Sequence, residues 1–308
     1  DTKAVDTVID DKRYAYLTEK DIPGAEEEKY CAFEANLKRV EYKLSYNRSR
    51  NDNDRLFTWD ELAKRVFNNY SNISDKELKK VNDFIKDMKV ENLSSETEKI
   101  VSLENFIKSN FATREDINTD DADNIEKIIK TRIASHFGII RFYGALFRQL
   151  NIPFEFVLAT DRKKYFIEKP FENWNYAENA VLYFPKLKKF MAPTAAEYRF
   201  PWIEPTWGDA NALFCKSTTI GNLTTAFGEV KKIPLEDYTQ SVNNTEADVS
   251  LNKTADTLLI TISQIYSGYS ASVYKAIFNF SSDENKRSVK KEMIKFGTKS
   301  ENVVSSSI

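Results

Sequence analysis

Histidine occurs once in the 308 residues, at His136, and cysteine twice, at Cys31 and Cys215. A single imidazole removes most metal sites, and it removes histidine-based catalysis unless His136 itself is used. Two thiols far apart in sequence make neither a disulfide framework nor a CxxC pair of zinc spacing, so no metal and no cofactor is expected. No GxGxxG, GxxxxGK(S/T) or HExxH is present. No apolar run approaches the roughly 18 residues of a membrane span. Net charge is also missing: 30% of the residues are charged but they sum to only -2. Such a balance leaves no electrostatic footprint for nucleic acid or for an anionic membrane surface. The chain starts at Asp1 without a signal-like segment, from which nothing about export follows.

What is present suffices for real cores. Hydrophobic residues make up 41% and aromatics 13% of the chain, and the length suggests two or three domains. Residues 12–46 read as strands, with Tyr30, Ala32 and Phe33 and then Val40, Tyr42 and Leu44 alternating. Ile22-Pro23-Gly24 reads as a turn, and Asn47 to Asp54 as a polar loop. Three capping boxes follow. Thr58 with Glu61, Ser74 with Glu77 and Ser95 with Glu98 each precede an apolar stripe of helical period. Asp123 to Ile133 and His136 to Leu150 read as two further helices. The pattern then switches to strands at 154–158, 180–184 and 188–191, and from Trp207 onward it reads as all-β, including Val273 to Phe280. A separate sandwich is the natural expectation for that last part.

The unit at 94–200 resembles the transglutaminase-like (papain-like) superfamily. In that family a Gly-x-Cys-x-Asp loop opens a long apolar helix that ends in a Leu-Arg-x-x-Gly-Ile pattern. Here Ala134-Ser135-His136-Phe137-Gly138 opens the helix and Phe147-Arg148-Gln149-Leu150-Asn151-Ile152 closes it. The cysteine position therefore holds His136, the glycine position Ala134 and the aspartate position Gly138. The family's strand-opening histidine corresponds to Asn179 in Asn179-Ala180-Val181-Leu182-Tyr183-Phe184. Its Leu-Asp-Pro-Thr turn corresponds to Met191-Ala192-Pro193-Thr194, which puts Ala192 at the aspartate.

The resemblance implies an α+β fold: the end of an N-terminal β-domain at 1–55, a transglutaminase-like core at 56–206 and a C-terminal β-sandwich at 207–308. It also implies the periplasm or the cell surface, where multidomain relatives are typically exported. The family's chemistry needs a thiolate at a helix N-terminus, an imidazole base and an orienting carboxylate. All three positions are changed, so the resemblance implies a binding or scaffolding module, for a protein, peptide or glycan. The other reading is a peptidase, amidase or acyltransferase with a rearranged nucleophile.

Other residues have a bland reading beside the sharp one. Ser135 is a helix cap before it is a nucleophile. Cys31 and Cys215 lie in apolar, strand-like runs and read as core thiols. Trp174, Tyr176, Trp202 and Trp207 flank the mapped strands and either line a cleft or pack.

Overall fold

The computed structural model describes residues 4–293, except 48, 50–53, 118 and 222, together with residue 305. Strands β1 (Val5–Ile9) and β2 (Lys12–Tyr16) form an antiparallel hairpin. The strands expected at 30–46 do not form. That stretch holds only the short helix α1 (Phe33–Asn36) within irregular chain, and Ile22-Pro23-Gly24 makes no turn. Tyr30 and Tyr42 are 87% and 90% exposed, so their alternation serves no buried face and finds no pairing strand. The 47–54 loop and the 302–308 tail fall largely outside the described residues.

Helices α2 (Trp59–Ser71), α3 (Asp75–Asp87) and α4 (Glu96–Asn110) begin where the boxes place them. In each, the cap hydroxyl accepts the N–H of the glutamate three residues on, and that glutamate accepts the cap N–H. The stripes bury Leu62 and Val66, then Val81, Phe84 and Ile85, then Ile100, Leu103 and Ile107. Each large side chain so buried contributes about 1.5–3 kcal/mol. Within α4, Glu104 and Lys108 form an ion pair of 2.7 Å with side chains only 1% and 3% exposed. Lys108 also donates to the Tyr198 carbonyl (2.8 Å), and the Phe200 N–H donates to Glu104 (2.6 Å).

Strand β3 (Ala112–Arg114), helices α5 (Asp120–Asp123) and α6 (Ile125–Thr131), and strand β4 (Ile133–Ser135) lead to helix α7 (His136–Gln149). Arg132, left-handed at φ 61°, ends α6 one residue short of β4. Strands β3 and β4 pair in parallel. Then come β5 (Glu155–Ala159), β6 (Asn179–Phe184), β7 (Lys189–Met191), β8 (Ala210–Ile220) and β9 (Leu223–Ile233). They form one antiparallel sheet in the order β7-β6-β5-β8-β9. The α7 residues Phe142, Tyr143, Leu146 and Phe147 share a core with one sheet face, including Phe156, Leu182, Phe184, Leu213 and Cys215. Val157, Ala159, Val181, Phe190, Ala192 and Phe214 form a second apolar cluster on the other face.

The molecule is thus mixed α+β. The expected boundary at 207 and the sandwich beyond it are not what forms. Strand β8 pairs with β5, so residues 210–233 complete the core sheet. Only β10 (Asn243–Leu251) and β11 (Leu258–Tyr266) lie apart, as a two-stranded hairpin. The strand expected at 273–280 belongs to helix α8 (Gly268–Phe280), which is followed by α9 (Asp283–Met293). Its aromatic and β-branched residues mimic a strand, but they sit in a helical turn pattern. Among the described residues, no helix is long and apolar enough to cross a membrane.

Candidate functional site

Helix α7 begins behind a short strand, and its first turn is where a helix-terminal nucleophile would stand. Ser135 occupies the cap: its hydroxyl accepts the Gly138 N–H (2.8 Å) and donates to Asp123. With both bonding directions used inside the fold, Ser135 is a buried structural hydroxyl. His136 follows it, half-buried, and makes no hydrogen bond or ion pair to a described residue. At Gly138 a Cβ would lie 2.1 Å from the Ala122 carbonyl oxygen and 2.8 Å from Ile128 Cδ1. This packing of α7 against α5 and α6 leaves no room for a side chain at the mapped aspartate position.

Asn179 opens β6, opposite Ala159 of β5. Strand alternation groups it with Val181 in the second cluster, whereas Ala180, Leu182 and Phe184 meet the α7 core. Ala192 directly follows β7 and is fully buried in that same second cluster. Sheet pairing therefore brings Asn179 and Ala192 to one face on neighbouring strands, while His136 opens the helix packed on the other. No hydrogen bond among the described residues joins any two of the three.

The thiols are elsewhere. Cys215 is 1% exposed on β8, between Phe156 and Gly228 in the sheet register. Burial, with the Glu155 charge beside it, pushes its thiol far above the ordinary range, so it stays protonated. Cys31 is half-buried in the N-terminal irregular segment.

The four candidate cleft aromatics pack against four different sets of partners. The Trp174 indole donates to the Thr58 carbonyl (3.1 Å) and stands edge-on to Phe57. Tyr176 stacks on Tyr165 at 4.4 Å, beneath the Arg39 guanidinium. Burial and the Glu41 carboxylate raise its hydroxyl to about 12. Trp202 stands edge-on to Tyr269 at 4.7 Å. Trp207 packs on the second cluster.

A depression lies on the α2 side of α7. It is an open groove of about 780 Å³. Phe67, Asn68, Asn69 and Asn72 line it from α2 and its end, Arg141 and Arg148 from α7. Phe137 and Thr224 complete its walls, and no acidic residue lines it among the described residues. Arg141 is bound on three sides: to the carbonyls of Asp123 and Asn72 (both 2.6 Å) and to Glu77 (3.4 Å). Arg148 donates to the Ser71 carbonyl (3.3 Å) and hydroxyl but meets no carboxylate among the described residues. Three rings, of Phe67, Phe154 and Phe156, stand 5.6 to 5.9 Å from its guanidinium. None of these groove residues was singled out from the sequence. The available signal was the seven-residue spacing of Arg141 and Arg148, two turns apart on one helix face.

No cluster of three His, Cys, Asp or Glu side chains able to hold a metal occurs among the described residues. Comparison with protein-family models, with curated proteins and with solved structures finds no match for this chain.

Proposed function

We propose that the chain is a transglutaminase-like fold without the family's catalytic set, acting at the periplasm or cell surface as a binding or scaffolding module for a peptide or glycan. The observation that carries this reading is the start of α7. An imidazole, His136, follows a serine whose hydroxyl is committed to capping. Covalent acyl chemistry needs a nucleophile activated by a base or by a lowered pKa. The one buried thiol is shifted the opposite way, and Asn179 cannot accept a proton near neutral pH. The order of a long apolar helix followed by antiparallel β5, β6 and β7 supports the family reading.

Purified protein tested on a panel of generic peptides and amine donors should give no turnover, before or after thiol alkylation. Loss of a whole catalytic set typically costs about a million-fold. Robust turnover that disappears in His136→Ala would replace this reading with an enzymatic one.

A further inference from the structure

The groove beside α2 differs from the rest of this molecule in its charge. The chain carries 47 acidic side chains against 45 basic ones, yet among the described residues the groove is lined by two guanidinium groups, three asparagines and no carboxylate. We propose that Arg148 and the groove before it bind an oxyanion, the carboxylate or phosphate group of a small ligand. The site lies apart from Asn179 and Ala192, and the proposal holds whether or not the mapped positions descend from a catalytic set.

Arg148 carries the argument. Its neighbour Arg141 has a carboxylate partner in Glu77, whereas Arg148 faces rings and one serine. Capping the C-terminal end of α2 is the structural use of this cation. That contact engages Nη1 and Nη2 with Ser71 alone. The Nε–H has no partner among the described residues. Burial acts against the charge, lowering the guanidinium below its ordinary value. A desolvated cation without a counter-ion is the arrangement in which an added anion gains most, because the desolvation is already in place. Guanidinium forks and amide N–H groups are also the donors that fit planar or tetrahedral oxyanions. Phe67 and Phe137 supply apolar wall for the remainder of a ligand, and the groove's volume falls within the range of about 300–1,000 Å³ usual for small-molecule sites.

The test titrates the whole chain with inorganic phosphate and, separately, with succinate, each against chloride at matched ionic strength, following backbone amide shifts. Two variants accompany it. Thr224→Glu places a carboxylate in the groove at an exposed strand position and should melt like the parent. Arg148→Lys keeps the charge and removes the fork. Saturable binding of either anion is expected, weakened about tenfold or more in both variants, as a lost charge-assisted hydrogen bond implies. Response to phosphate alone assigns the phosphate source, and response to succinate alone the carboxylate. No saturable binding by either anion, or equal binding in parent and variants, would overturn the proposal.

Discussion

Glu77 joins three helices through one carboxylate. It closes the capping box of α3 with Ser74, accepts the Ile125 N–H at the start of α6 (3.0 Å) and faces Arg141 of α7. Burial alone would raise its pKa. The hydrogen bonds from Ser74 and Ile125 and the Arg141 charge outweigh burial and hold it below the ordinary carboxylate value. A depressed folded-state pKa gives stability that is complete above the unfolded value and is lost as pH falls through the folded one. Glu77→Gln should therefore cost about 1.5–3 kcal/mol at neutral pH. The gap between parent and variant should narrow below about pH 4, where the parent carboxylate protonates. Urea unfolding midpoints at both pH values measure this, and a gap independent of pH would show that the charge is not what matters. From sequence, Glu77 was legible as a capping residue because Ser74 stands three positions before it. Its bonds to Ile125 and Arg141 were not, since partners 48 and 64 residues away leave no local pattern.

At the scale of elements, the segments with punctuation at their ends were the readable ones. Thr58, Ser74 and Ser95 start helices in the sequence and in the structure, because a cap is a local hydrogen-bonding device. Residues 273–280 carry no such mark: their Val, Tyr, Ile and Phe fit a strand by residue type, yet the run lies within α8. The misreading at 30–46 has the same origin: alternation fits a strand, but only a partner makes one. Helix α7 was read from His136 onward correctly, yet its tight seat against α5 was invisible. That seat yields a prediction. Gly138→Ala would press a methyl group against the backbone oxygen of Ala122, which cannot rotate away. The variant should lose about 1–3 kcal/mol and melt lower, while Gly24→Ala, with nothing within 4 Å of the added carbon, should melt like the parent. Equal melting of all three would mean that α7 and α5 separate easily.

For the whole molecule, the sequence separated what the sheet unites. Strands β8 and β9 read locally as β, as they are, but nothing in their alternation says which sheet they join. Five of the first six residues of β8 are buried, which marks a central strand covered on both faces and not the start of a new domain. Leu213, Cys215 and Ala226 belong to the α7 core. A chain ending at residue 206 should consequently fail to fold, whereas one ending at 237 should keep a cooperative melt, because the β10–β11 hairpin belongs to a different sheet. Circular dichroism melts of the two truncations decide it. A folded 1–206 fragment would restore the boundary at 207. The candidate site was legible to the same degree. The mapped positions could be numbered from the motifs, but the groove depends on α2, α7 and β9 meeting, which only the assembled sheet and helices specify.

The Glu104–Lys108 pair sets how the segment after β7 can behave. Burial drives the Lys108 ammonium below its ordinary pKa while the Glu104 charge opposes this. Both partners also hold the backbone at Tyr198 and Phe200. Lifting that segment would strip two hydrogen bonds from a charged pair that has almost no water to replace them. The segment is in this respect a bolt, not a hinge.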